Sequence, residues 1–131
     1  MKVFSLRQVL VLHERMVRKY GGSSGVRDFT MLESALGRPF ATFGGNDLYA
    51  DIFLKAGALI QSIVKNHPFV DGNKRTAWAS AVALFKMKDW QVIAKEDEAV
   101  GFMVRVANEN LSVDEIAGWL KKKIKKICMK L

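Results

Sequence analysis

Asp51-Ile52-Phe53-Leu54-Lys55-Ala56-Gly57-Ala58-Leu59-Ile60-Gln61-Ser62-Ile63-Val64-Lys65-Asn66 runs directly into His67-Pro68-Phe69-Val70-Asp71-Gly72-Asn73-Lys74-Arg75. The first stretch is apolar around much of a helical circumference and has Asp51 in position to cap it, so it is expected to be a central, buried helix. Pro68 disfavours helical backbone at His67, which predicts an end near Asn66. A new helix is expected to start at Gly72 or Asn73 and to reach about Lys86, carrying Ala77, Ala79, Ala81, Val82, Ala83, Leu84 and Phe85 into close packing.

Working outward, Leu6, Val9, Leu10, His13, Met16, Val17 and Tyr20 recur at helical spacing. With Ser5 as cap, they predict a first helix ending at Gly21-Gly22. A short second helix follows Asp28 or Thr30 and stops before Pro39, and residues 37 to 50 read as irregular. Downstream, Trp90-Gln91-Val92-Ile93 suits a short extended segment and Glu96 to Asn108 a helix. Ser112-Val113-Asp114-Glu115 has the capping-box pattern, and a last helix through Ile116, Trp119, Leu120, Ile124 and Ile127 is expected after it. The fold class is all-α, a compact bundle of about six helices.

A chain of 131 residues, half of them hydrophobic and about a quarter charged, is expected to form a single domain over residues 1–131. Its net charge of +8 favours phosphates, RNA or an acidic protein as partners, without choosing among them. Much of that excess sits in Lys121, Lys122, Lys123, Lys125, Lys126 and Lys130, which suit the solvated C-terminal end of the last helix. One cysteine, Cys128, excludes an internal disulfide and a thiolate zinc cluster, and fits a reducing cytoplasm. No signal peptide is evident, and no stretch approaches the roughly 18 apolar residues of a membrane span.

The chemistry concentrates in residues 67 to 75. A helix start offers unpaired N–H groups and partial positive charge, and so attracts phosphate or carboxylate. Gly72 carries no side chain that would hold an anion off that backbone. Lys74 and Arg75 in the first turn are unfavourable for an empty helix but suit a bound polyanion, with arginine as a fork and lysine as a point charge. Asp71 can cap the helix, ligate Mg²⁺, or both. Asn73 can hold the loop or contact phosphate oxygens. His67 is the side-chain type best suited to take a proton from a hydroxyl near neutral pH.

This stretch resembles the signature of the Fic/Doc family, H-x-F-x-D/E-G/A-N followed by basic residues. The resemblance extends to Gly21-Gly22 through Gly25-x-Arg27-Asp28, to Leu32-Glu33-Ser34-Ala35, and to Phe43-Gly44-Gly45 through Leu48-Tyr49. Family members that transfer a nucleoside monophosphate usually have glycine at the position of Lys74 and a second arginine at that of Trp78. The Lys74-Arg75 ending is instead similar to Doc-type (death-on-curing) toxins of toxin–antitoxin modules. Resemblance therefore implies a protein kinase that transfers the terminal phosphate of ATP, with Mg²⁺, to a threonine of a translation factor, elongation factor Tu in the known target class, so inhibiting translation. It implies His67 as general base, Asp71 as a catalytic residue that helps hold Mg²⁺ or orients the site, Gly72, Asn73 and Lys74 as the anion hole, and Arg75 as phosphate clamp. It also implies that Phe69 anchors the loop in the core, that residues 37 to 50 are a flap pairing with the target chain, and that a Phd-like antitoxin folds a helix onto the toxin.

Two further functions stay open on sequence: a Fic-type protein AMP/NMP transferase, and a non-catalytic Fic-fold binding protein contacting RNA or the ribosome. Some residues have plainer readings. His13 lies on an apolar helix face, where a buried, hydrogen-bonded histidine is expected before a catalytic one. Cys128 suits an inert terminal thiol, and Trp78, Phe85, Trp90 and Trp119 suit core packing.

Overall fold

A computed structural model describes residues 5–127. Cys128 and Lys130, and the expectations attached to them, lie outside the described residues. The first helix, α1 (Leu6–Tyr20), begins with a capping box in which Ser5 Oγ accepts from Gln8 N and Gln8 Oε1 accepts from Ser5 N. It ends at Gly21, where a φ of 85° is one that side-chain-bearing residues rarely adopt. Asp28 caps α2 (Phe29–Gly37) by accepting from Met31 N at 3.1 Å. A 3-10 turn with buried Pro39 follows at Arg38–Phe40. Residues 37 to 50 are more ordered than the sequence implies: β1 (Thr42–Phe43) and β2 (Asn46–Asp47) form a small antiparallel hairpin turned by Gly44 and Gly45.

At the centre lies α3 (Ile52–Asn66), capped by Asp51 through Leu54 N at 2.8 Å and buried from Lys55 to Ile63. It packs against α2, against α4 (Asn73–Met87) and against α6 (Val113–Lys123). The α3–α6 approach depends on Gly57, because a Cβ there would stand 2.9 Å from the Val113 carbonyl. Leu59, Ile60 and Ile63 are fully buried, and each contributes about 1.5–3 kcal/mol by leaving water. The remaining helix, α5 (Glu96–Asn108), adds Phe102, Met103 and Val106 to the same core. Phe85 is buried, whereas Trp78, Trp90 and Trp119 pack against the core while partly exposed.

The C-terminal segment departs from expectation. The last helix stops at Lys123 instead of reaching Ile127, and β4 (Ile124–Lys126) pairs antiparallel with β3 (Trp90–Val92). Two causes act together. Continuing the helix would stack Lys121 on Lys125 and Lys122 on Lys126, like charges at the repelling i,i+4 spacing. The backbone at 90–93 also needs a partner, and it finds one: Ile93 N donates to Lys123 O and Ile127 N to Asp89 O, each at 2.8 Å. No described helix is long and apolar enough to cross a membrane.

Candidate active site

The loop between α3 and α4 is fixed from within by Asn73. This side chain is buried; its Oδ1 accepts from Phe69 N and its Nδ2 donates to Phe69 O, both at 2.9 Å. Of the two uses the sequence allows for Asn73, its side chain therefore serves the first, holding the loop. Phe69 is fully buried. His67 caps α3 in the left-handed region, with φ 49° and ψ 53°, because the chain must turn before Pro68. That conformation is uncommon outside glycine and asparagine and persists where surroundings enforce it.

The enforcing contacts come from residues 23–28. Arg27 donates through Nε to His67 O at 2.7 Å and through Nη2 to Asn66 O at 2.8 Å, covering the open end of α3. Arg27 N and Asp28 N donate to Pro68 O, Val70 N donates to Gly25 O, and Val26 bridges to Phe69. Nothing in the sequence alone marks Arg27 for this role. Its signal is an arginine within reach of a helix end whose last carbonyls need donors, which becomes visible only once the two segments are adjacent.

Asp71 does not cap α4. The cap position belongs to Gly72, at φ 74°, and no side chain caps the helix. The Asp71 carboxylate instead accepts from Gly72 N at 2.8 Å and from Ser23 N at 3.2 Å. These two bonds, first that from Gly72, hold its pKa below the ordinary carboxylate value, and the charges of Arg75 and His13 add to the effect. Gly22 is tightly seated here, since a Cβ on it would lie 2.6 Å from Asp71 Oδ2.

The Gly72 N–H is engaged by Asp71, whereas the first-turn N–H groups of Asn73, Lys74 and Arg75 have no acceptor among the described residues. The Lys74 and Arg75 side chains are exposed beside them. Arg75 lies over the Tyr20 ring, 4.5 Å from guanidinium carbon to centroid, a cation–π contact that orients its fork without engaging its N–H groups. Tyr20 in turn donates to Glu96 Oε1 at 3.3 Å.

Beneath the loop, His13 is buried, stacks on Phe69 with centroids 3.9 Å apart, and places Nε2 2.8 Å from Asp71 O. Tyr20, His67, Asp71, Gly72, Lys74 and Arg75 line one groove of about 1050 Å³ between α1, α4 and α5. His67, Asp71, Lys74 and Arg75 form a polar part of its lining, while Trp78, Val82, Val100 and Val104 line an apolar stretch. The described residues contain no cluster of three or more His, Cys, Asp or Glu suited to a metal. A magnesium ion held partly by substrate phosphates needs just one or two carboxylates, and the ionised Asp71 fits that requirement.

A loop with this side-chain set, opening a helix that packs on a central buried helix, is shared by a known class of proteins. The Fic/DOC family model matches residues 3–85, and the chain belongs to that family. It is similar to the protein named Toxin Doc of Mycolicibacterium smegmatis (strain ATCC 700084 / mc(2)155), 43% identical over 103 residues covering 77% of this chain and 79% of the relative. It is also similar to Protein kinase doc of Escherichia phage P1, 28% identical over 122 residues covering 93% of this chain and 95% of the relative.

Proposed function

We propose that this protein is a Doc-type toxin, a single-domain protein kinase that moves the terminal phosphate of ATP to a protein hydroxyl. The observation that carries this reading is the row of open N–H donors at Asn73, Lys74 and Arg75, flanked by the Lys74 and Arg75 cations and by exposed His67. Binding alone would call for the donors and cations; a base at their edge adds chemistry. The names of the two relatives, a toxin and a protein kinase, support the same assignment.

In this mechanism the open N–H groups and Arg75 receive the transferred phosphate and stabilise the charge on its equatorial oxygens. Lys74 adds a point charge and takes the space that a glycine would leave for a second phosphate at this position. His67 accepts the proton of the acceptor hydroxyl as that oxygen bonds to phosphorus. The bond from phosphorus to the bridging oxygen breaks, and ADP departs. Asp71 would hold Mg²⁺, which supplies charge neutralisation on the phosphates. The hairpin at 42–47 offers outer strand edges to an extended acceptor segment, which would add by strand pairing.

The acceptor class favoured by the resemblance is a threonine of elongation factor Tu, which makes the protein an inhibitor of translation acting in the cytoplasm. Its antagonist would be a Phd-like antitoxin whose acidic, amphipathic helix lies in the groove. The apolar stretch at Trp78, Val82, Val100 and Val104, with Arg15 and Lys19 on the rim, suits such a helix.

Intact-mass analysis of elongation factor Tu after incubation with the protein, ATP and Mg²⁺ tests the reading. A gain of one phosphate that His67→Ala abolishes is the expected result. A gain of AMP would instead assign nucleotidyl transfer and remove the role given to Lys74. No modification of any protein acceptor would favour a binding protein over an enzyme.

A further inference from the structure

The imidazole of His13 lies under the loop and belongs to none of the steps above. Its Nε2 is 2.8 Å from the Asp71 carbonyl oxygen. A carbonyl can only accept, so Nε2 must carry the hydrogen. That carbonyl shares a rigid peptide plane with the Gly72 N–H. Across a trans peptide the two groups point in opposite directions, and the Gly72 N–H reaches Asp71 Oδ1 at 2.8 Å. One plane is thus gripped at both edges: by His13 from inside the fold and by the Asp71 carboxylate from the solvent side. The plane immediately precedes the turn at Gly72 that sets the direction of α4, and with it the aim of the open N–H groups at Asn73, Lys74 and Arg75.

The His13 ring is placed for this by more than one contact. It stacks on Phe69 with an interplanar angle of 9°. Its side chain is 2% exposed, so water does not compete for the bond. A Cβ on Gly72 would come within 3.7 Å of Nε2, so loop backbone and ring are in van der Waals contact. Helix α1 is long and capped at its start by a complete capping box, which makes it a firm mount.

We propose that His13 is the positioning residue of the anion cradle, holding the Asp71–Gly72 peptide plane through Nε2–H so that the donors of Asn73, Lys74 and Arg75 converge on phosphate. Its effect on rate rests on the kinase reading above; its effect on loop geometry does not.

Two variants separate this role from core packing. His13→Phe keeps an aromatic ring to stack on Phe69 and removes the donor. His13→Gln removes the ring and keeps an N–H at the same number of bonds from Cβ. If His13 merely fills space, Phe is the better replacement. If it positions the loop, Gln is. The expected result for His13→Phe is a kcat for phosphate transfer lowered by about tenfold to a hundredfold, the cost of small misplacements at a reacting centre, with acceptor KM unchanged. The backbone amide signals of Gly72, Asn73 and Lys74 shift in the ¹H–¹⁵N spectrum of the same variant. His13→Gln returns most of the rate and most of the wild-type amide positions. Wild-type protein shows imidazole ¹⁵N shifts of a protonated Nε2.

An Nε2 found unprotonated overturns the proposal, as do unmoved loop amides in His13→Phe or a His13→Gln variant as impaired as His13→Phe. The spectra need no substrate. Failure of the kinase reading would show as wild-type protein that phosphorylates nothing, and the amide and imidazole signals would still decide the role of His13.

Discussion

The loop at 67–75 and the hairpin at 41–50 both lean on α3, and they are built in opposite ways. In the loop, polar contacts converge from three directions: Asn73 from within, His13 from below, and the segment 23–28 from outside. Its backbone is held at Phe69, Val70, Asp71 and Gly72. The hairpin is held at its base. Lys55 donates to Asp47 Oδ2 at 3.1 Å and to the Tyr49 carbonyl, while Arg38 joins Tyr49 Oη to Gln61 and Ser62 of α3. Beyond that base the strands are two residues long, and Phe43 is 82% exposed. Chemistry needs atoms held to a fraction of an ångström, whereas recognition of an extended chain needs an open edge on a steady mount. The contrast between the two segments fits the proposal that the loop carries the chemistry and the hairpin receives the acceptor.

The sharpest way to break the contrast is to remove the inner contact of the loop. Asn73→Ala leaves the buried Phe69 N–H and C=O without their partner. Orphaned buried polar groups cost about 1–3 kcal/mol each, so the melting temperature should fall clearly. Transfer activity should fall further than the folded fraction explains, because the cradle loses its shape. A denaturant titration run beside an assay at a temperature where the variant is folded separates the two effects. Activity equal to wild type would mean that the loop is held without Asn73.

Much of the loop is legible in the chain because its determinants are local. Pro68, Gly72 and the apolar run at 52–64 fix two helix ends and the turn between them, and the capping residues Ser5, Asp28, Asp51 and Ser112 stand where α1, α2, α3 and α6 begin. What escapes the sequence is non-local. The contacts of Arg27 with Asn66 and His67, and of Ser23 with Asp71, join segments about 40 to 48 positions apart. The β4 strand escapes for the same reason. Ile124 and Ile127 continue a helical pattern, and pairing with the distant Trp90–Val92 backbone joins the repulsion among neighbouring lysines in favouring the extended form. Asp71 is a further case. An aspartate before a helix reads as its cap, but the left-handed turn at Gly72 directs it to a neighbouring N–H and to Ser23 instead.

A milder perturbation addresses the hairpin alone. Lys55→Met keeps volume within the core and deletes the tether to Asp47 and Tyr49. A charge-assisted hydrogen bond is worth about 1.5–3 kcal/mol. If the hairpin mounts the acceptor, acceptor KM should rise by about tenfold or more, each tenfold step corresponding to about 1.4 kcal/mol, with KM for ATP unchanged. Steady-state kinetics with each substrate varied in turn gives both values. A rise confined to the KM for ATP would detach the hairpin from acceptor binding and place its influence in the loop.

The smallest expected effect concerns charge at the edge of the loop. Asp71 is exposed, and its pKa is lowered first by the Gly72 N–H, then by Ser23 N–H and by Arg75. A carboxyl whose folded value lies below its unfolded value of about 3.9 favours the folded state above that range. The contribution disappears as pH falls through the folded value. Asp71→Asn keeps an oxygen for one of the two N–H groups but cannot ionise. Melting temperatures of wild type and Asp71→Asn should therefore differ by a constant margin at neutral pH, and the margin should close as the solution is made acidic. A margin that persists in acid would assign the effect to the shape of the carboxylate's contacts rather than to its charge. Because the loop's stability depends mainly on Asn73 and Arg27, the margin should be smaller than the loss in Asn73→Ala. The reverse order would make the exposed Asp71, rather than the buried Asn73, the principal fastening of the loop.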